Sequence, residues 1–476
     1  MTGIDAKTLE GTSTTLPSED IDHLRAGLRG QILTGEDPDY EGCRQVWNAM
    51  IDRRPGLIVR CMGVADVLAC VAFGRAKNLL TAVRGGGHNI AGSAVCDGGL
   101  LIDLSLMRGV RVNPWDRTAV VEPGALLADF DHEAQTFGLA TPLGINSTTG
   151  VAGLTLGGGF GWLSRKHGLT IDNLLSVDVV TAAGELVHAD ERDHADLFWA
   201  VRGGGGNLGI VTSFTYRLHQ VGPEVTAGLI VYPYDNAGQI LRGYRGLCAQ
   251  ASEDLACWSV LRKAPPLPFL PEAVHGTEVV VLALCHIGGQ DAAQRDIAPL
   301  MELGTPAGVH VGPMPFAAWQ KAFDPLLAPG ARNYWKSHNF AALDDRAIDV
   351  LVDYAGRLPT AQSEIFLGHL GGATNRVAAD ATAYPHRDAE FVLNVHTRWD
   401  AAADDGRCVD WARAFFRDTA PYATGGAYVN FITDDEDRVA AAYGTNLQRL
   451  MEVKQAYDPT NFFRMNQNVT RRQAAA

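Results

Sequence analysis

Apolar positions along the first half of the chain fall into short runs separated by glycine-rich breaks. Val64, Val67, Leu68, Val71 and Ala72 recur at helical spacing and predict a helix closed by residues 74–78. It leads into a predicted strand at 79–83, and residues 100–104 predict another. Segments 119–124 and 178–186 read as strands with turns, and 196–201 as a helix entering a strand at 210–214. Upstream, residues 20–33 suggest a short amphipathic helix, and 1–20, rich in Thr, Ser and Glu, predict a mobile arm. Beyond residue 218 the texture changes. Apolar runs at 228–232, 258–261, 278–286, 364–369 and 391–399 predict strands of a mostly antiparallel sheet with helices on one face. The fold class expected is α+β, with one domain over 1–218 (core about 50–218), a second over 219–445 and a closing segment at 446–476.

Three glycine runs punctuate this pattern: Arg84-Gly85-Gly86-Gly87-His88-Asn89, Gly157-Gly158-Gly159-Phe160-Gly161 and Gly203-Gly204-Gly205-Gly206-Asn207. Consecutive glycines let the backbone turn several N–H groups into one concavity, a way of holding pyrophosphate. The flanks exclude a Rossmann fingerprint, which runs strand, glycine loop, helix. Here the first loop is followed by no helical period, and the third runs from helix to strand. The glycines would therefore bind through loop amides.

Composition and charge narrow the partners. The 476 residues carry a net charge of −14, which disfavours nucleic acid or an anionic membrane as partner. No apolar run approaches the ~20 residues of a membrane span. The first residues are polar and carry no signal-peptide core, so a cytoplasmic location is expected. Eight cysteines without Cys-x-x-Cys spacing indicate free thiols, and no metal site is expected.

The motifs in order resemble a known family. Arg84 to Asn89, Asp97-Gly98-Gly99 with Ile102-Asp103-Leu104-Ser105, Gly157 to Gly168, and Asp196-Leu197-Phe198-Trp199-Ala200 with Arg202-Gly203-Gly204-Gly205 are similar to the vanillyl-alcohol-oxidase-type (PCMH-type) FAD fold. Tyr457-Asp458-Pro459-Thr460-Asn461-Phe462-Phe463-Arg464 with Asn466-Gln467-Asn468 resembles the closing motif of its berberine-bridge-enzyme-like branch. The resemblance covers roughly residues 40 to 470. It implies a two-part FAD-binding domain, to which 446–476 returns, and a substrate domain whose antiparallel sheet is covered by helices.

The same resemblance assigns candidate residues. His88 would be bonded covalently to the 8α-methyl of the flavin. The second attachment of many members, through a Cys, falls on Asn146, so a single bond through His88 is expected, which favours a smaller or bacterial-type substrate. Pyrophosphate and ribityl contacts fall on Arg84, Gly85, Gly86, Gly87, Asn89 and Ser93, with Thr148, Thr149, Gly150, Gly153 and Gly158 as a second wall. Asp172, Asn173, Gly206 and Ile210 would approach the adenine half, with Asn466 and Asn468 closing the site. The usual bases are absent: the last Tyr of Tyr-x-Asn-Tyr is Phe431, and Ala381 stands where the alkaloid branch would carry Glu ahead of Pro385-His386-Arg387.

Strand alternation offers substitutes. A period of two puts Asn394, His396 and Arg398 on one face, and Tyr428 with Asn430 on another. His396 or Tyr428 is therefore the candidate base or orienting donor, His396 because imidazole accepts a proton near neutral pH. Asn394, Arg398, His369 and Tyr334 are candidate substrate contacts, with His286 and Lys336 behind them. A polar outer sheet face is an equally good account of the strand residues. Three activities compete: an oxidase passing hydride from a C–H beside oxygen or nitrogen to FAD and then to O2, a dehydrogenase with another acceptor, and a flavin-holding protein without turnover.

Overall fold

The computed structural model describes residues 3–433 and 438–470. Its backbone is organised around three sheets. The first has four strands in the order Gln31–Leu33, Leu57–Arg60, Leu100–Asp103, Thr81–Arg84; the last three run parallel and the edge strand antiparallel. The helix Val64–Ala76 provides the crossover between two of these strands. It buries Val67, Cys70 and Val71 against Val59, Leu100 and Ile102, the stripe its helical spacing predicts. The second sheet is antiparallel, ordered Leu186–Ala189, Leu174–Val180, Ile210–Arg217, Thr118–Val121, Val110–Asn113.

The third sheet is antiparallel and has seven strands: Gly308–Pro315, Glu224–Pro233, Glu278–His286, Leu255–Lys263, Glu364–His369, Phe391–Trp399 and Arg332–Phe340. Its two faces separate by residue parity. Leu393, Val395, Ile365 and Leu367 pack under helices Ala237–Cys248, Gln290–Met301, Asp345–Ala355 and Asp405–Thr419. Trp258, Phe366 and Val392, on the opposite face, join Phe160, Trp162 and Tyr428. One sheet face is thus spent on its own helices and the other closes on the glycine loops. The α+β expectation and the helix-covered antiparallel sheet match what is observed.

Three local expectations need correction. Residues expected as a mobile arm form a hairpin, Ile4–Lys7 paired with Ser13–Leu16, whose Ala6 and Leu16 are buried. The helix expected over 20–33 runs Ser18–Ala26; Gly27 ends it, and the chain then becomes the edge strand Gln31–Leu33. Strands Gly308–Pro315 and Arg332–Phe340 escaped the apolar pattern.

The chain's end returns to the first half. Helix Leu447–Tyr457 packs Leu450 and Met451 into the core containing Trp199 and Ala200, while Phe462 and Phe463 enter the core of the four-stranded sheet. Lys454 Nζ locks this return by donating to Asp458 Oδ2 (2.5 Å), Asn207 O (2.6 Å) and Phe463 O (2.9 Å).

Candidate active site

A long cavity lies between the glycine loops and the inner face of the seven-stranded sheet. Its loop wall includes Gly85, Gly86, Gly87, His88, Asn89, Ser93, Asn146, Thr149, Gly150, Gly153, Gly206, Ile210 and Asn466. The first loop leaves the strand Thr81–Arg84, and Arg84 anchors it: Nη2 lies 2.7 Å from Asp103 Oδ2 and Nε donates to Asp103 Oδ1 at 3.1 Å. Arg84 thus points into the sheet and does not line the cavity. A Cβ on Gly86 would lie 2.5 Å from Gly150 N and Cα, so the first glycine loop meets the turn at Gly150, just ahead of the helix Val151–Leu156, backbone to backbone. Asn89 Oδ1 accepts the Ser93 N–H at 2.9 Å and closes the turn after His88.

His88 stacks on Trp47, with ring centroids 5.2 Å apart. Its Nε2 is 2.9 Å from Thr148 Oγ1, and Thr148 itself lies behind the histidine, off the cavity lining. Desolvation among the cavity walls pushes the His88 pKa down to about 3, so the ring is neutral.

Tyr428 is the buried phenol of the cavity. Its oxygen accepts the Gly159 N–H at 3.1 Å and an N–H of Asn430 Nδ2 at 3.1 Å. Gly159 has φ +75°, a conformation that turns its amide toward the ring. Burial raises the Tyr428 pKa to about 12, against the lowering effect of those two donors. The segment is a 3-10 turn, Val429–Phe431, and not a strand, yet Tyr428, Asn430 and Phe431 all line the cavity.

On the sheet side Asn394 and His396 line the cavity, as the period of two predicts. His396 Nδ1 is 3.1 Å from Glu364 Oε1 and Nε2 is 3.2 Å from Asn333 Oδ1, so both ring nitrogens are engaged. Burial lowers the His396 pKa and Glu364 pulls it back up. Glu364 also lines the cavity and accepts from Arg262 Nη1 at 2.8 Å. Burial alone would raise its pKa, but Arg262, His396 and Arg398 outweigh that and hold it near 2. Arg398 shares this face without reaching the lining; its guanidinium sits over Trp47 and donates to Ala328 O.

Several candidates lie elsewhere. Tyr334 has the opposite parity, is buried with the helices and accepts from Arg413; Lys336 lies over Phe416 on that same side. His369 also faces the helices, stacked on Phe391 and bonded to Arg165, and His286 pairs with Asp296. Asp172 is bound by both terminal nitrogens of Arg387 at 2.8 Å, and Asn173 donates to His167 O and Leu169 O. Gly158 packs toward Tyr384 and Tyr428, and Asn468 is outside the lining. Ala381 is likewise outside it.

The cavity also uses Trp47, Trp258, Trp335, Glu364 and Phe366, none of which carries a motif in the sequence. Alternation from the predicted strand 364–369 could have put Glu364 and Phe366 on one face, but which face met the cavity depends on the pairing of Glu364 with His396.

Residues 55–190 match the family described as FAD binding domain, and 427–470 the one described as berberine and berberine like. An FAD-linked oxidoreductase of Dictyostelium discoideum is 31% identical over 454 residues, covering 94% of this chain and 96% of that protein. The chain belongs to the berberine-bridge-enzyme-like FAD oxidoreductases. (R)-6-hydroxynicotine oxidase of Paenarthrobacter nicotinovorans is 29% identical over 93% of this chain and 97% of its own. Among solved structures, the Physcomitrella patens BBE-like 1 protein superposes with a TM-score of 0.86 at 23% identity, covering 94% of this chain and 98% of the other. 6-Hydroxy-D-nicotine oxidase of Arthrobacter nicotinovorans gives 0.83 at 27% identity, with 93% and 98% covered.

The residues present fit the FAD this family binds. Gly153 and Gly206 line the cavity with nothing within 4 Å of where a Cβ would stand, leaving open room beside bare backbone. Trp335 Nε1, Asn394 Oδ1 and Asn466 Oδ1, on residues that line the cavity, are buried atoms without a hydrogen-bond partner among the described residues. Among those residues no group of three or more His, Cys, Asp or Glu could hold a metal, and no helix is long and apolar enough to cross a membrane. All eight cysteines are free.

Proposed function

We propose that this oxidoreductase is an oxidase of a small organic, sugar or secondary-metabolite substrate, acting at a C–H next to an alcohol or amine, with FAD attached through His88 alone. FAD, when bound, supplies a hydride acceptor at N5 and passes the electron pair to dioxygen as hydrogen peroxide. Residues 1–218 with 446–470 hold the cofactor, and 219–445 supply the substrate wall.

The observation that carries this reading is the pair of donors on the Tyr428 oxygen. Gly159 N–H and Asn430 Nδ2 fill its acceptor positions, so the hydroxyl hydrogen is left to point elsewhere, and both donors stabilise the phenolate. Tyr428 is the proton acceptor for the substrate's hydroxyl or amine. His396, fixed between Glu364 and Asn333, orients the substrate with Asn394 and does not take the proton. Trp258, Trp335, Phe366 and Phe431 exclude water around the reacting bond. The oxidases among the relatives support dioxygen as acceptor.

The test is an anaerobic panel of alcohols, sugars, amines and heterocycles, read as bleaching of the flavin. A substrate that bleaches it, with colour returning in air and hydrogen peroxide released, is the expected outcome. Colour returning only with a quinone would make the protein a dehydrogenase, and bleaching by nothing in the panel would favour a flavin-holding protein. Tyr428→Phe should slow the bleaching by about 10²–10⁴.

A further inference from the structure

The contacts behind His88 fix which of its ring nitrogens bears the proton. Asn146 Oδ1 accepts the Thr148 backbone N–H at 3.1 Å. That amide hydrogen cannot turn away, so the Asn146 carboxamide must present its oxygen, not its NH2, to Thr148. The same oxygen is 2.8 Å from Thr148 Oγ1, which makes the Thr148 hydroxyl the donor there. With its hydrogen committed to Asn146, Thr148 Oγ1 can only accept from His88 Nε2 at 2.9 Å. Nε2 therefore carries the proton of the neutral ring and Nδ1 keeps a bare lone pair.

We propose that Asn146 and Thr148 are positioning residues for covalent flavin attachment, holding His88 in the tautomer whose Nδ1 is the nucleophile. The proposal rests on the reading that His88 carries the flavin. Attachment replaces one C–H bond of the ring methyl with a C–N bond to Nδ1. The methyl hydrogen and the Nε2 hydrogen leave as protons; with the electron pair they reduce the cofactor to its dihydro form, and dioxygen takes both electrons and protons as hydrogen peroxide. Burial supports the step by keeping the imidazole unprotonated. Asn146 thus has a task of its own where relatives with two attachments place a second linking Cys.

The experiment follows acid-stable flavin in wild type, Thr148→Val, Thr148→Ser and Asn146→Ala. Each protein is incubated with added FAD in air, and total bound flavin is compared with that retained in the acid-precipitated pellet over time. Wild type should retain nearly all of its flavin. Thr148→Val should bind FAD in the native state, release most of it in acid and form the bond at least tenfold more slowly, with Thr148→Ser restoring the wild-type rate. A Thr148→Val rate equal to wild type, or a Thr148→Ser protein as slow as Thr148→Val, overturns the relay while leaving the His88 bond standing. If Thr148→Val does not fold, Asn146→Ala decides: slowed attachment supports the relay and a wild-type rate overturns it. Wild-type protein that releases all its flavin overturns the His88 reading itself.

Discussion

At the scale of single residues, Tyr428, buried, and Glu364, half-buried, both line the cavity, and their environments push them in opposite directions. Burial dominates at Tyr428 and lifts the phenol to about 12. The reactive phenolate is therefore scarce at neutral pH and grows as pH rises. The anaerobic flavin reduction rate should climb between about pH 7 and 10 without a plateau, and Tyr428→Phe should flatten that climb; a plateau in the wild type would remove Tyr428 as the base. Glu364 is held near 2 by Arg262, His396 and Arg398, below its ordinary 4.5. A depressed carboxylate stabilises the fold above the unfolded-state pKa, and that contribution is lost as pH falls from about 4.5 toward 2, amounting to about 3 kcal/mol. Glu364→Gln should abolish this acid-dependent part of the stability, as measured by denaturant unfolding at pH 3 and pH 7. Of the two, only Tyr428 is a candidate in the sequence. Tyr428 was named for a strand face, but its donors come from a 3-10 turn and from a loop 269 residues away, and Glu364 gains meaning only when its strand pairs with the one bearing His396.

At the scale of elements, the first glycine loop carries the architecture because it meets the turn at Gly150 without side chains between them. Adding a methyl at Gly86 would drive a Cβ into Gly150. In a His88→Ala background, where flavin is free to exchange, Gly86→Ala should weaken FAD binding by about 10–100-fold, following the ~1–3 kcal/mol cost of overpacking; titration of flavin fluorescence measures it. These loops were readable because glycine clustering is a local signal. The strand Arg332–Phe340 was not, since its inner face alternates Trp335, which lines the cavity, with the buried polar Asn333, Ser337 and Asn339, while Tyr334 and Lys336 meet the helices. Strand Gly308–Pro315 is an edge strand with prolines at 313 and 315, and its alternation is correspondingly poor. The hairpin Ile4–Lys7 with Ser13–Leu16 looked like an arm because its sequence is polar. It is held by pairing and by burying Ala6 and Leu16, a tertiary contact that composition does not report.

For the whole molecule, the closing segment ties the cofactor side together. Lys454 bridges the last helix to Asn207 beside the third glycine loop, with all three of its N–H groups donated to Asp458, Asn207 and Phe463. Lys454→Met leaves the buried Asp458 carboxylate with the Phe462 and Phe463 N–H donors but without its Lys454 counter-charge, and should cost about 3–5 kcal/mol of stability in denaturant unfolding. It should also lower the flavin content of a His88→Ala background. The closing motif was visible in the sequence, but its bonds to the third loop, Asn466 Nδ2 donating to Gly206 O and Asn207 Nδ2 to Gln467 O, span 260 residues.

The central claim is that three glycine loops and one sheet face form a cavity in which FAD is joined to His88. Its most direct test is proteolytic digestion of the purified, denatured protein followed by mass spectrometry. The account predicts one peptide, the one containing His88, that carries the mass of the flavin, and none carrying it at Asn146. Flavin recovered entirely free, or joined to a peptide without His88, would contradict it.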